Sequence, residues 1–210
     1  ISGRGTNESY EEQGELQLTD YGISGIPVFQ LSRFAAAALD AGRQVKASID
    51  FLPGFRDNEA LWQELVEEKC TSCRQRSMEV LFGGLVNKKI IQTAVKLCGL
   101  SMGDRAERKN LPAIRKVFAL LRSFEVQVTD TNPFANAQVC AGGVPLTEVD
   151  GHLESRICPG LYLAGELLDA DGRCGGYNLQ WAWTTGYIAG KDAVLSLGKP
   201  AGQRKKGKRE

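Results

Sequence analysis

Histidine is nearly missing from this sequence, with His152 standing alone among 210 residues. The one CxxC, Cys70 and Cys73 within EEKCTSCRQR, therefore has no histidine nearby and no second cysteine pair to complete a zinc site. It also sits in a helical pattern rather than after a strand, which argues against a thioredoxin-like motif. Long apolar runs are missing too. The richest stretches are broken by Lys, Arg, Gln or Thr well short of the roughly 18 residues that a membrane helix needs.

The opening ISGRGTNESYEEQGE lacks the charged start, apolar middle and small-residue cleavage site of a signal peptide, and its first residue is Ile1. The expectation is a soluble, cytoplasmic chain cut from something longer. The six cysteines (70, 73, 98, 140, 158 and 174) then stand as reduced thiols rather than a disulfide framework. No internal repeat is present, and the single low-complexity segment is the tail GQRKKGKRE. That tail carries five basic residues and one acidic one, leaving 21 basic against 24 acidic elsewhere, so the overall charge of +1 conceals a mildly acidic body. A nucleic-acid interface would rest on this tail alone, and a short basic end is expected to be solvated and disordered. Nucleic acid and membrane are therefore not expected partners.

What is present is a sequence of well-punctuated elements. GELQLTDYGISG places Leu16 and Leu18 between polar neighbours and ends in glycines, a short strand and turn. Pro27 then opens a helix that Gly42 closes. QVKASIDFLPG alternates Val45, Ala47, Ile49 and Phe51 before Pro53 and Gly54 break it, a strand with one buried face. From 57 to 123 the period becomes helical. Asp57 is the expected N-cap, with Leu61, Leu65 and Val66 on one face and Ile114, Val117, Phe118 and Leu121 on another. This block predicts a small helical bundle inserted between strands, because FEVQVTD alternates again. The last third, FANAQVCAGGV, PGLYLAGE and a long helix, reads as strand, strand, strand, helix with glycines at the joints.

Chemistry concentrates in AGELLDADGRCGGYNLQWAWTTGYIAG, residues 164–190. Gly165 and Glu166 follow an apolar strand, the usual place for a ligand in an open α/β sheet; Glu166 can accept hydrogen bonds from sugar-like hydroxyls or be a solvated turn residue. Gly175 and Gly176 precede a helix start and bare its amides, which carry roughly half a positive charge and suit an anion or polarised carbonyl. Ala182, Gly186 and Gly190 make a row of small residues, as for a backbone or cofactor approaching closely, although a weak surface helix has the same pattern. Trp181, Trp183, Tyr187 and Leu179 argue for burial, with core packing the first reading. Gly142, Gly143 and Val144, after Cys140, form a second glycine turn, either backing a flat ligand or simply tight. Cys174 has no partner thiol at a redox spacing, and no side chain stands out as a general base.

GELQLTDYGISGIPVFQLSR, CAGGVPLTEVD and PGLYLAGELLDADGRCGGYNLQWAWTTGYIAG resemble the BaiN-like NAD(P)/FAD-dependent oxidoreductases, a bacterial flavoprotein family that also includes aminoacetone oxidase. The likeness covers residues 14 to 196. It implies an α+β and α/β fold: a Rossmann-type FAD domain interrupted by an insert made of a small β-barrel and a helical subdomain. On that basis 1–14 is a polar linker, 15–133 the insert with its helical part at about 57–123, 134–196 the returning C-terminal part of the FAD domain, and 197–210 the basic tail. The resemblance implies FAD as cofactor, a small-molecule substrate, and NAD(P)H as an electron donor. Glu166, beside Gly165, would face the ribityl or pyrophosphate region. Gly176, Tyr177, Asn178 and Leu179, after Gly175, would present backbone to the flavin ring, with Gly142, Gly143 and Val144 near the isoalloxazine. The GxGxxG fingerprint that holds the pyrophosphate is absent from these 210 residues. The chain is thus expected to be the C-terminal half of such an enzyme, or else an incomplete piece acting as a binding or scaffold module.

Overall fold

The computed structural model describes residues 2–3, 6–72 and 74–198. In chain order the regular strands are β1 (Ser2–Gly3), β2 (Thr6–Ser9), β3 (Gln17–Leu18), β4 (Ile23–Ser24), β5 (Val45–Ile49) and β6 (Phe124–Val128). The α-helices are α1 (Ile26–Asp40), α2 (Glu59–Ser72), α3 (Met78–Phe82), α4 (Lys88–Leu97), α5 (Leu111–Arg122) and α6 (Tyr177–Leu197). The fold is mixed α and β. It divides into two compact units, one holding β1, β2 and Gly42–Thr129, the other Tyr10–Ala41 and the chain from Asp130 onward.

The first unit is built on an antiparallel sheet in the order β2-β1-β5-β6. β5 and β6 pair from Val45 opposite Val128 to Ile49 opposite Phe124. The two-residue alternation puts Val45 and Ala47 inward, while Lys46 reaches Glu125 at 3.1 Å on the other face. Helices α2 to α5 fill the interval between β5 and β6, as the change to a helical period predicts. Their core is centred on aromatic rings: Phe118 lies 4.9 Å from Phe82 and 5.7 Å from Trp62, centroid to centroid. Ile114, Val117, Phe118 and Leu121 of α5 are all buried, the expected face.

Two details of α2 differ from expectation. The helix starts at Glu59, and Asn58 rather than Asp57 caps it, its Oδ1 accepting from the Leu61 amide at 3.0 Å. Of the expected face, Val66 is buried and Leu65 packs against the core, but Leu61 is exposed and Trp62 and Cys70 complete the buried side, the larger indole taking the core position. Cys70 therefore packs in the core; Cys73 lies outside the described residues, as does the basic stretch of the tail from 201 to 210.

In the second unit β3 and β4 form a two-stranded hairpin closed by the Thr19 amide donating to the Gly22 carbonyl at 2.9 Å. Gly25 links it to α1 with a φ of 103°, and a Cβ there would lie 2.4 Å from the Glu15 carbonyl oxygen, so only glycine fits. Pro27 occupies the first turn of α1 as expected.

The three strands expected between 134 and 168 are not regular strands. Single pairings stand in their place: Val144 with Leu168 in parallel, and Val149 with Ser155 and Glu154 with Tyr162 antiparallel. The reason is local. Gly142, Gly143, Gly160 and Gly165 all have positive φ, and each turns the chain before a ladder extends. A small core of Val149, Leu153, Leu163, Leu168 and Ala189 holds this segment to α6.

Candidate functional site

The site is organised by α6. Its N-terminus follows Gly176, which has a left-handed φ of 94°, and no side chain caps it. The first intrahelical bond runs from the Gln180 amide to the Gly176 carbonyl at 3.0 Å, so the amides before it point out of the helix end. Side chains added at Gly175 or Gly176 would meet nothing within 4 Å. The backbone here is open, as the glycine pair predicts, and its partial positive charge faces outward.

The loop before this terminus is fixed by its neighbours. Asn178 accepts from the Gly172 amide at 2.7 Å and donates to the Gly172 carbonyl at 3.1 Å. Its side chain is thus committed to the loop, leaving the Asn178 backbone as the part facing the opening. Gly172 is required by space, since a Cβ would come within 2.9 Å of the Tyr177 Cβ. Arg33 of α1 pairs with Asp171, and Arg173 pairs with Glu12 at 2.6 Å. These exposed pairs orient the loop more than they stabilise it, such contacts being worth about 0–1 kcal/mol each.

The second part is the turn around Gly165–Leu167, a short 3-10 helix. Glu166 is exposed, and its Oε1 accepts from the Cys140 amide at 2.7 Å. One carboxylate oxygen is therefore used to hold the glycine turn. Val144 donates to the Leu167 carbonyl at 2.8 Å and accepts from the Asp169 amide at 2.8 Å. Gly143 sits so close that a Cβ would be 2.5 Å from the Leu167 carbonyl oxygen, at a φ of 132°. Val144 and Glu166, chosen from separate stretches of sequence, are thus tied by hydrogen bonds into one arrangement around Gly165–Leu167, with Gly142 and Gly143 in the turn between Cys140 and Val144. Gly175, Gly176, Tyr177, Asn178 and Leu179 form the adjoining helix start in the chain.

The far side of α6 departs from expectation. Leu179, Trp183 and Tyr187 are exposed, the last two at 67% and 70%, where burial was expected. Gly186 and Gly190 have nothing within 4 Å of a would-be Cβ; of the small-residue row, Ala182 makes the close approach, 3.8 Å from that position on Gly165. The cause is that α6 is apolar on two sides and this unit covers one, the side bearing Trp181, Thr185 and Ala189. Thr185, a position that sequence reasoning passed over, is 2% exposed. A buried threonine within an apolar helix signals a hydrogen-bonded partner, but nothing local says which.

Comparison with known proteins gives the family of the chain and no role for single residues. Residues 64–192 match the HI0933-like protein Rossmann domain. The chain belongs to the HI0933-like family. This HI0933-like chain is 42% identical over 185 residues to the 3-dehydro-bile acid delta(4,6)-reductase of Clostridium scindens, covering 88% of the chain and 45% of that protein. It is 27% identical over 182 residues to the ribosomal RNA dihydrouridine synthase of Escherichia coli, covering 86% and 42%. The Haemophilus influenzae synthase of the same name is 28% identical over 174 residues, covering 82% and 40%. The chain spans less than half the length of these relatives. The Rossmann expectation is met at the level of the family. Among the described residues, no helix is long and apolar enough to cross a membrane.

Proposed function

We propose that this chain is the C-terminal portion of an FAD-dependent oxidoreductase that moves hydride between flavin and a small-molecule substrate or NAD(P)H. The observation that carries this is the 42% identity to a reductase across 88% of the chain, the matching region including every residue of the glycine-rich site. In the proposed architecture, residues 15–133 hold a barrel-like insert with a helical subdomain, although Tyr10–Ala41 groups with the chain from Asp130 onward, and 134–196 return to the FAD domain. The cytoplasm is the proposed compartment, with neither membrane nor nucleic acid as a partner.

The geometry fits a flavin. Gly142, Gly175 and Gly176 have positive φ and no atom within 4 Å of a would-be Cβ, so a flat ring can approach their backbone. The uncapped start of α6 offers the amides of Tyr177, Asn178 and Leu179 to the polarised edge of the ring. Glu166, with one oxygen on Cys140, has a second for a ribityl or pyrophosphate-side hydroxyl. When bound, FAD supplies the two-electron centre at which hydride is accepted or delivered. The chain's own part is to hold that edge in a fixed field and to keep the glycine turns open. The test is to purify the complete protein and scan its absorbance: flavin bands are expected, and their absence after adding FAD ends this reading.

A second reading has a specific observation in its favour. Two of the relatives described above are named ribosomal RNA dihydrouridine synthases, and dihydrouridine carries two hydrogens more than uridine. A base in RNA would then replace the small molecule as hydride acceptor. The higher identity to the bile-acid reductase favours the first reading; assaying the reduced flavoprotein against an enone and against RNA separates the two.

A further inference from the structure

We propose that Thr185, acting with Trp181, is a positioning residue that sets the Glu166 turn against the start of α6 and so governs flavin affinity and spectrum. The inference rests on the flavin reading above. Thr185 is 2% exposed, and its hydroxyl is fully engaged. It accepts from the Gly165 amide at 2.8 Å and donates to the Trp181 carbonyl at 2.6 Å. Trp181 completes the arrangement, its indole Nε1 donating to the Gly165 carbonyl at 3.1 Å. Both backbone polar groups of Gly165 are therefore held by side chains of one helix, at positions four apart that share a face.

Gly165 needs that support. Its φ is 69°, and the residue after it is Glu166. From Glu166 the bonding continues to the Cys140 amide at 2.7 Å, and from Leu167 to the Val144 amide at 2.8 Å. A displacement of Gly165 is thus carried to both glycine-bearing stretches proposed to face the ring. The same helix presents its N-terminus to the ring and fixes the opposing turn two turns further on. Thr185 is buried behind the turn and need touch neither flavin nor substrate, which makes it a positioning residue.

The test uses the complete flavoprotein with Thr185→Val, which keeps the shape and removes the hydroxyl, and Thr185→Ser, which keeps the hydroxyl. Losing a buried, doubly used hydroxyl should weaken FAD binding about tenfold or more and shift the visible flavin bands, with Thr185→Ser within about twofold of wild type. A folded Thr185→Val protein with wild-type affinity and bands overturns the proposal. So does a serine variant that fails as badly as valine. If Thr185→Val does not fold, Trp181→Phe carries the test by removing the Nε1 donor together with part of the ring; unchanged affinity and bands then overturn it. Wild type is titrated first. If it takes up no FAD the flavin reading falls and this inference with it, whereas wild-type binding with indifferent variants removes this inference only.

Discussion

At the residue scale, the glycines of this chain divide by what surrounds them rather than by which motif contains them. Gly143 combines a φ of 132° with a would-be Cβ 2.5 Å from the Leu167 carbonyl oxygen, so Gly143→Ala should destabilise the protein by about 1–3 kcal/mol and break the pairing of Val144 with Leu168. Gly190 is the opposite case, helical and with open space at its Cβ. Gly190→Ala should stabilise these 210 residues by about 0.5–1 kcal/mol. Thermal melts of both variants check the pair, and a shift in the same direction would contradict the structural distinction. Glycine content alone could not separate these two positions, since φ and neighbouring atoms are properties of the fold.

At the element scale, α5 was legible and α2 only in part. The 3.6-residue period of Ile114, Val117, Phe118 and Leu121 matches the buried face because all four sit inside a helix with clear ends. Phe118→Ala should cost about 3–5 kcal/mol, since it leaves a cavity against Phe82 and Trp62; a denaturant titration measures it. In α2 two adjacent capping residues, Asp57 and Asn58, leave the start ambiguous by one position, and Leu61 is exposed while Leu65 and Val66 face the core. α2 also carries a testable charge. The Arg122 guanidinium, hydrogen-bonded to Glu59 at 2.7 Å, holds its carboxyl below the usual value of 4.5, with Gln63 adding to the effect. A lowered folded-state pKa means that the small contribution is complete above the unfolded value and is lost as pH falls through the lowered one. NMR titration should place Glu59 below an ordinary glutamate, and Arg122→Gln should move it back up.

At the scale of the whole molecule, two cores form in separate units, and a Rossmann-family match covers residues from both. The relatives are more than twice as long as the regions matched, and no GxGxxG lies in this sequence. On the proposed flavin reading, these 210 residues alone should bind FAD far more weakly than the complete protein, because a pyrophosphate loop contributes a large share of dinucleotide affinity. Equilibrium titration of both lengths measures the difference; equal affinity would show that the glycine-rich site suffices. The exposed stripe of Leu179, Trp183 and Tyr187 belongs to the same scale. In these 210 residues Trp183→Ser should change stability by less than about 0.5 kcal/mol, the usual range for a surface position.

The sequence by itself determined where elements begin and stop: the proline at the start of α1, the glycine pair before α6, the alternation of β5 and the helical period of α5. These are short-range properties, set by φ preferences and by which neighbours share a face. The resemblance of its motifs also suggested Glu166 and the three glycine-bearing stretches as one candidate site. Only the tertiary structure decided which face of α6 is covered, that Asn178 turns back onto Gly172, and that Gly165 is held from both sides by Trp181 and Thr185. The residues between 134 and 168 likewise settle into single pairings because positive-φ glycines end each run before a ladder forms. Such choices rest on which distant donor meets which acceptor, and a period of two or 3.6 residues carries no record of that.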